Sequence, residues 1–408
     1  MGDWAALPES SSFMLAVFAF QASLRLALRF IGNVGPFDPT RSRFDAQNEW
    51  ESVTSRQFVR GFLVGRAEMR NLGKRYVLGV DGGGTKTAAC IAELKLGFSG
   101  KPSVGAIRAR GFGGPGNPLS GGFAVACGNI CAAIDQAKSQ MKIKIDGSTE
   151  STTIESACIC LAGAGRPEEQ HRVREEMMAR GIADSVLVTG DIEPIQWAAE
   201  FESQQAIGLE IPGELWERCI TLIAGTGSIA LGVQPNSNPV RAGGWGYLLG
   251  DEGSGFDIGL TALKDLCRAT DQCRPLTPLH LGLLQGLSIE EARDLVGAVY
   301  KSDKPQQIIA SLASTVLSYA ESDPLVETIA SRVAYAWAEL VDCVHHQLGL
   351  HEKPFTLAIA GGIAVHSPFL AERLLKILEE RSMKPSLFRV VQHPVHGALT
   401  MAARNTLS

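Results

Sequence analysis

The stretch that decides the fold is YVLGVDGGGTKTAACIAEL, residues 76–94. It begins with an apolar run of strand length, YVLGV, and ends with a second short apolar run, TAACIAEL. Two such runs around a glycine-rich turn are typical of a β-hairpin. The turn DGGGTKT, residues 81–87, combines three glycines with a Thr-Lys-Thr sequence, which a plain hairpin turn does not need. We therefore predict that this turn approaches a bound group closely.

The chemistry of the turn favours phosphate as the bound group. Glycines let the backbone approach an anion, so that successive N–H groups, with the hydroxyls of Thr85 and Thr87, cradle its oxygens. Asp81 ends the preceding strand and is suited to hold Mg²⁺ through water. The turn matches neither a Walker loop nor a G-x-G-x-x-G motif, and both require a helix where TAACIAEL predicts a strand. We define loop 1 as the phosphate loop formed by Asp81, Gly82, Gly83, Gly84, Thr85 and Lys86.

A second hairpin repeats this pattern in CITLIAGTGSIALGV, residues 219–233, where two apolar runs enclose a glycine-rich turn. Two hairpins of one kind in opposite halves of the chain indicate one fold used twice, with a nucleotide held between two domains. A third turn, Gly361-Gly362, ends the strand-like run FTLAIAGG. It either lets a base or ribose lie against the backbone or is simply the turn that ends a C-terminal strand. We define loop 2 as the second phosphate loop, formed by Gly225, Thr226, Gly227 and Ser228.

The composition indicates a protein with a local site rather than a charged binding surface. The chain has 408 residues, enough for two or three domains, and its 38 basic and 43 acidic residues give a net charge of −5. This charge argues against nucleic acid as a partner. Nine cysteines without a C-x-x-C motif fit reduced core thiols in a cytosolic protein better than a disulfide framework. We therefore predict a cytoplasmic location.

The first 68 residues differ from the rest, with seven arginines and no lysine. Their apolar run, residues 12–30, is interrupted by Arg25 and Arg29, which argues against a membrane span. The acidic leader argues against a signal peptide, so no membrane partner is predicted. Disorder, a transit peptide and a translation start at Met69 are the alternatives for this segment. We assign residues 1–74 to an N-terminal extension and infer no function from it.

The remaining chain is predicted to form two domains. Strand-like runs at residues 156–163 and 185–191 complete the first half, and the chain becomes mainly helical after Gly250. We place the N-terminal domain at residues 75–193, with residues 394–408 as a helix that returns to it, and the C-terminal domain at residues 194–393. The helices predicted in the second half are Gly255–Arg268, Ile289–Tyr300, Pro305–Ala320 and Pro324–Gly349.

Four motifs occur in a fixed order, namely DGGGTKT, GTGS, GGWGYLLGDEGSG (residues 243–255) and AIAGGIA (residues 358–364). In this order and spacing the chain resembles the BadF/BadG/BcrA/BcrD-type ATPase family of the actin-like ATPase superfamily, and most of all its N-acetylglucosamine kinase branch. The resemblance covers about residues 75–404. It implies an α/β fold of two actin-like (ribonuclease H-like) domains around a nucleotide cleft, with ATP and Mg²⁺ as cofactors.

The resemblance also implies roles for particular residues. Asp191 falls where these kinases carry the base for the sugar hydroxyl, and Asn117 falls where they bind the sugar. A carboxylate at the end of a strand is well placed for such chemistry, although Asp191 could instead cap the following helix, and Glu193 is a nearby competitor. The residues that match the motif lining the sugar pocket are Gly244, Trp245, Gly246 and Asp251.

The GGWG motif has a second interpretation that does not involve a sugar. Sugar sites use an aromatic face for the apolar C–H surface and carboxylates for pairs of hydroxyls, which suits Trp245 and Asp251. Alternatively, Asp251 and Glu252 are acidic residues that complement the dipole of the first turn of a helix. We favour the sugar-binding interpretation.

Three functions are compatible with these motifs. The first is an ATP-dependent kinase for an amino sugar, N-acetylglucosamine before glucosamine. The second is an ATPase activator of a radical dehydratase or reductase with an iron–sulfur cluster, and the third is a sugar-responsive regulator without enzymatic activity. Asp191 and the GGWG motif favour the kinase. The sequence does not decide the sugar, the hydroxyl phosphorylated or the oligomeric state, for which a homodimer is one option.

Overall fold

A computed structural model describes residues 74–96, 100–143, 153–207, 213–351 and 353–407. The predicted N-terminal extension lies outside these ranges, apart from its last residue. The described chain forms an α/β structure with two mixed sheets of five strands each. Among the described residues, none of the helices combines the length and the apolar character that crossing a membrane requires.

Sheet 1 belongs to the first half of the chain and has the strand order β3-β2-β1-β4-β5. Strands β1, β2 and β3 are antiparallel neighbours, whereas β4 and β5 run parallel to β1. The carboxyl ends of β1, β4 and β5 therefore meet at one edge of the sheet, which is where α/β proteins bind ligands. The strands are β1 Tyr76–Gly82, β2 Thr87–Leu96, β3 Pro102–Gly113, β4 Ile154–Leu161 and β5 Ser185–Gly190.

Sheet 2 repeats this topology with the order β10-β9-β6-β7-β8. Its hairpin and third strand are antiparallel, and two further strands run parallel to β6. The prediction that one fold is used twice is thus confirmed, including both hairpins. The strands are β6 Cys219–Ala224, β7 Ser228–Val233, β8 Val240–Gly243, β9 Thr356–Ala360 and β10 Leu387–Val390.

Helices cover the faces of both sheets. In the first half they are α1 Pro118–Gly121, α2 Phe123–Ile143, α3 Pro167–Ala179 and α4 Glu193–Ile207. In the second half they are α5 Gly255–Asp271, α6 Pro278–Gly286, α7 Leu295–Tyr300, α8 Pro305–Ser311, α9 Ala313–Leu317, α10 Pro324–Gln347, α11 Gly362–His366, α12 Pro368–Glu380 and α13 Val395–Asn405. Single 3₁₀ turns occur at Gly213–Trp216 and Ala292–Asp294.

Most predicted helices of the second half are present, with two differences. The segment predicted as one helix from Pro305 is two helices, because the Leu312 N–H donates to the carbonyl of Ile309, three residues back, and this tighter bond interrupts the α-helical ladder. The segment predicted from Ile289 begins with a 3₁₀ turn and becomes α-helical at Leu295. Helix α10 ends before Gly349, which has a φ of +57°, as a glycine after a helix commonly does.

Helices α4 and α13 pack against each other, and α13 also lies across β1 and β4 of sheet 1 while α4 contacts β9 of sheet 2. The contacts are backbone to backbone. A side-chain carbon on Gly397 would lie 1.8 Å from the Pro194 carbonyl oxygen, and one on Gly79 of β1 would lie 2.6 Å from the Leu399 nitrogen. Only glycine allows approaches this close. The two helices therefore form the packed link between the sheets.

One carboxylate anchors the chain where it passes from β10 to α13. Glu202 of α4 is buried, and its two oxygens accept the N–H groups of Gln392 and His393 at 3.0 and 2.8 Å. The Nδ1 atom of His396 lies 3.3 Å from the same carboxylate. Burial alone would raise the pKa of Glu202, but these hydrogen bonds outweigh it, and the pKa lies below its ordinary value.

We expect Glu202→Ala to lower the free energy of unfolding by about 3 kcal/mol, because it removes the charged acceptor of two part-buried N–H groups and the partner of the buried His396. Gln205→Ala, an exposed change on the same helix, is the matched control and should have little effect. Urea unfolding followed by circular dichroism measures both. Equal midpoints for the two variants would show that Glu202 does not anchor this junction.

Acid pH tests the same interaction. A carboxyl whose pKa is depressed in the folded state stabilises the protein above its unfolded-state pKa, and this contribution is lost as the pH falls through the folded-state value. The stability difference between the wild type and Glu202→Ala should therefore be constant near neutral pH and shrink below the ordinary glutamate value of 4.5. A difference that persists unchanged to strongly acid pH would contradict the interpretation.

Candidate active site

Two carboxyl groups meet at the edge of sheet 1 where β1, β4 and β5 end. Asp81 lies at the end of β1, and Asp191 directly follows β5, with β4 between the two strands. Burial raises the pKa of Asp81 to about 7, and the negative charge of Asp191 adds to this shift while Lys86 opposes it. Burial raises the pKa of Asp191 as well. The two groups are close enough to interact, so a cation or a proton beside them is favourable.

Loop 1 forms the turn of the first hairpin, as predicted. The Gly83 N–H donates to the Lys86 carbonyl oxygen at 2.9 Å and closes the turn. Within the described part of the chain, no hydrogen bond uses the N–H groups of Gly84 and Thr85. These two donors are therefore available to an anion, and the exposed side chains of Thr85 and Lys86 lie beside them.

Thr87 does not take part in the phosphate cradle, and that expectation is wrong. Its hydroxyl donates to the carbonyl oxygen of Gly114 at 2.8 Å, and its side chain is fully buried. The hydroxyl points away from the turn because Thr87 is already the first residue of β2, where successive side chains alternate between the faces. The bond instead ties the first hairpin to the segment that leads to Asn117.

Asn117 lies at the same edge of sheet 1 as the two carboxyl groups. The preceding Gly116 packs on loop 1, where a side-chain carbon added to it would lie 2.8 Å from the Cα of Gly82. The amide group of Asn117 packs on Gly163, whose added side-chain carbon would lie 2.4 Å from Oδ1. Gly163 follows the end of β4 with a φ of +82°. The predicted sugar ligand thus lies at the end of β4, the strand next to β5, after which the predicted base stands.

Gly116 and Gly163 were not selected from the sequence, although both shape this cluster. Each stands in a glycine-containing segment, GGPGNP and LAGAG, and LAGAG directly follows a strand-like run. A glycine directly after a strand that ends at a ligand-binding edge is a signal that the backbone approaches another group. The sequence does not show that this group is Asn117, because Asn117 and Gly163 are far apart in the chain and meet only in the folded structure.

Loop 2 joins β6 to β7 and is held by the GGWGYLLGDEGSG segment. The Asp251 Oδ1 atom accepts the Ser228 N–H at 3.2 Å, and its carboxylate packs on Gly227. The Ser228 hydroxyl donates to the carbonyl oxygen of Glu252 at 2.8 Å. Asp251 is buried, and burial raises its pKa. Its carboxylate therefore lies on the second phosphate loop, in contact with the loop backbone.

Helix α5 begins directly behind loop 2. The N–H groups of Gly255 and Phe256 donate to the carbonyl oxygens of Gly225 and Thr226 at 2.8 and 3.3 Å. The carbonyl groups of the loop are thus turned towards the helix. In the described structure no hydrogen bond uses the N–H groups of Thr226 and Gly227, so loop 2, like loop 1, presents free backbone donors.

The third glycine turn lies against the strand that leads into loop 2. Gly361 has a φ of +104°, and a side-chain carbon there would lie 2.2 Å from the Ala224 carbonyl oxygen. Gly362 begins α11 and has open space around it. Because Ala224 directly precedes loop 2, the position predicted for the nucleoside adjoins the second phosphate loop.

The aromatic residue of the GGWG motif stands apart from these groups. The Trp245 side chain is 65% exposed, and the Arg241 guanidinium lies 5.3 Å from its ring centroid. Its neighbours Gly244 and Gly246 have φ values of +69° and +84°. The Trp245 ring lies beside Arg241, whereas the amide of Asn117 packs on Gly163, so the two predicted sugar ligands have different neighbours.

These features define the class of protein. Two mixed sheets of the same topology, each with a hairpin loop that offers free N–H donors, form the actin-like ATPase fold. The chain belongs to the BadF/BadG/BcrA/BcrD ATPase family, whose profile matches residues 78–401. Membership of an ATPase family supports ATP as the nucleotide.

Known proteins resemble the chain over most of its length. It is 27% identical to the N-acetylmuramic acid/N-acetylglucosamine kinase of Clostridium acetobutylicum over 331 residues, which are 80% of this chain and 98% of that protein. It is 28% identical to the N-acetyl-D-glucosamine kinase of Dictyostelium discoideum over 335 residues, 81% of this chain and 98% of that one. A crystal structure from Porphyromonas gingivalis, described as a candidate N-acetylglucosamine kinase, has the same fold with a TM-score of 0.59 and 20% identity, covering 81% and 99% of the two chains.

The contact between Asp251 and loop 2 leads to a prediction. Asp251→Asn keeps an oxygen for the Ser228 N–H and tolerates the φ of +65° at this position, whereas Asp251→Ala does neither. We expect Asp251→Ala to weaken the binding of ATP by about tenfold, and Asp251→Asn to bind it as the wild type does. Isothermal titration without sugar measures this. If Asp251→Asn loses sugar affinity while nucleotide affinity is unchanged, the residue belongs to the sugar pocket instead.

The two glycines of the third turn provide a matched pair. Gly361→Ala forces a side-chain carbon against the Ala224 carbonyl at a positive φ, and we expect it to lower the free energy of unfolding by about 2–4 kcal/mol. Gly362→Ala has open space in a helix and should be neutral or stabilising by up to about 1 kcal/mol. Thermal unfolding of both variants checks this. Equal stabilities would contradict the close packing of Gly361.

Proposed function

We propose that the protein is an ATP-dependent kinase that phosphorylates an amino sugar, with N-acetylglucosamine as the first candidate. The observation that carries the proposal is the cluster at the edge of sheet 1, where Asp81, Asp191 and Asn117 lie beside loop 1. Relatives that are named as kinases of N-acetylglucosamine and N-acetylmuramic acid support the class of substrate.

Asp191 acts as the general base in this proposal. The hydroxyl oxygen of the sugar attacks the γ-phosphorus and gives its proton to the Asp191 carboxylate, as the bond between the γ-phosphorus and the ADP oxygen breaks. Burial raises the pKa of Asp191 towards the operating pH, which strengthens it as a base. Phosphoryl transfer needs little other covalent help, so orientation and charge stabilisation supply the rest of the rate.

The residues at this edge fit a magnesium ion. Mg²⁺ keeps several waters and takes one or two carboxylates together with substrate phosphates. In the described part of the chain no three acidic, histidine or cysteine side chains form a metal cage, whereas the paired carboxyls Asp81 and Asp191 offer hard oxygen donors. Asp81 would hold the ion, which would neutralise the charge of the phosphates.

The sugar lies between Asn117 and the GGWG segment. Asn117 packs on Gly163 and its Oδ1 atom accepts the Leu119 N–H at 2.9 Å, which fixes the amide at the end of β4. In this proposal the amide contacts a hydroxyl of the sugar. Trp245 provides an apolar ring face for the C–H surface of the sugar. Trp245 is exposed, and in this proposal closure of the cleft brings its ring onto the sugar and excludes water from the γ-phosphate.

The assignment of the base is tested with two carboxylates of one segment. Asp191→Asn should bind ATP normally, while kcat falls by about a thousandfold. Glu193→Gln is the control. Burial raises the pKa of Glu193 too, but its carboxyl packs on Gly190, where an added side-chain carbon would lie 2.8 Å from Oε2. Turnover near the wild-type level in Asp191→Asn, or a larger loss in Glu193→Gln, would overturn the assignment.

The substrate class is tested by release of ADP from purified protein with glucosamine, N-acetylglucosamine, N-acetylmuramic acid and glucose. A kinase of amino sugars releases ADP only with an amino sugar and forms a sugar phosphate. Release that is independent of sugar would favour the ATPase activator. Sugar binding without any release would favour the regulator.

A further inference from the structure

Helix α8 is fixed to the second phosphate loop through the start of α5. A side-chain carbon on Gly259 of α5 would lie 2.0 Å from the Ile309 carbonyl oxygen of α8, and one on Gly255 would lie 3.2 Å from that of Ala310. Gly255 itself donates to the carbonyl oxygen of Gly225 in loop 2. Because these contacts are between backbones, the position of α8 relative to loop 2 is well defined.

From this position α8 extends a side chain to the first phosphate loop. The Nε2 atom of Gln307 lies 3.9 Å from the point where a side-chain carbon on Gly84 would stand. Gln307 is half-buried. Within the part of the chain that the structure describes, no residue forms a hydrogen bond with its side-chain amide. The N–H group of Gly84 also has no partner there. A free side-chain donor from the second half of the chain thus lies beside a residue of loop 1 whose N–H also has no partner.

We propose that Gln307 is a nucleotide-binding residue whose Nε2 group donates a hydrogen bond to an outer phosphate of ATP. The proposal rests on the placement of ATP between loops 1 and 2 in the proposed function. A free amide donor beside a loop with unbonded N–H groups suits an anion, and a neutral amide donates to a phosphate oxygen without needing a counter-charge.

The position of Gln307 indicates the β- or γ-phosphate rather than the α-phosphate. Gly84 belongs to the loop that begins with Asp81, so it lies near the place where the phosphoryl group is transferred. The nucleoside is predicted at Gly361, which packs on Ala224, the residue before loop 2. A hydrogen bond from Gln307 to a phosphate beside Gly84 therefore forms with a nucleoside triphosphate and not with a monophosphate. The outer phosphates connect loop 1 to α8 while they are bound.

The test uses the full chain and isothermal titration with a non-hydrolysable ATP analogue and with AMP, both without sugar. Gln307→Ala should weaken the binding of the analogue by about tenfold, the loss expected for a hydrogen bond to a charged group. Binding of AMP should not change. Gln307→Glu, which places a carboxylate beside the phosphates, should weaken the analogue further. Gln306→Ala removes the same side chain one position earlier on α8 and serves as the matched control.

The outcomes separate this inference from the proposed function. Wild-type affinity of Gln307→Ala for the analogue, or an equal loss for the analogue and AMP, would overturn the role of Gln307. Gln307→Asn, which keeps the amide but shortens the side chain by one carbon, replaces Gln307→Ala if that variant does not fold, and the same tenfold criterion applies. Because no sugar is present, failure of the Asp191 or substrate tests leaves this result interpretable.

Discussion

The close approach of α13 to β1 and α4 is the constraint on which the rest of the structure depends. Gly79 and Gly397 remove the side chains that would otherwise separate these backbones. Helix α4 begins two residues after Asp191, and it also contacts sheet 2. The packing that links the two sheets therefore also sets where the candidate base stands. A change that loosens α13 would alter stability and the position of Asp191 together.

Electrostatics at the edge of sheet 1 follow from this packing. Burial disfavours the charged forms of Asp81 and Asp191 and raises the pKa of both, and the negative charge of Asp191 adds to the shift of Asp81, whose pKa is raised to about 7. Such a pair is not a source of stability. A bound cation, a metal on the phosphates or a proton released by a hydroxyl stabilises the two carboxyl groups. The destabilised carboxyls are therefore better explained by chemistry than by folding.

The sequence predicted the parts of this protein that are local. Both hairpins, both phosphate loops and the carboxylate after β5 follow from apolar runs, glycines and strand ends that are neighbours in the chain. Strands β3, β8 and β10 were missed because β3 contains three glycines and the other two have four residues each. The contact between Asp251 and Ser228 was missed because it joins residues that only the sheet brings together.

Residues between loops 1 and 2 are the hardest to predict, because their place depends on packing rather than on their neighbours in the chain. Gln307 stands in an unremarkable helix, and nothing in its neighbours marks it, since its position depends on how α8 packs on α5 and how α5 packs on loop 2. Helix α8 packs on Gly259 of α5, and loop 2 packs on Gly255 of α5, so both contacts are between backbones. These indirect supports place a side chain from the second half of the chain beside a loop of the first half without a hydrogen bond to that loop, so the space between them stays open to a ligand.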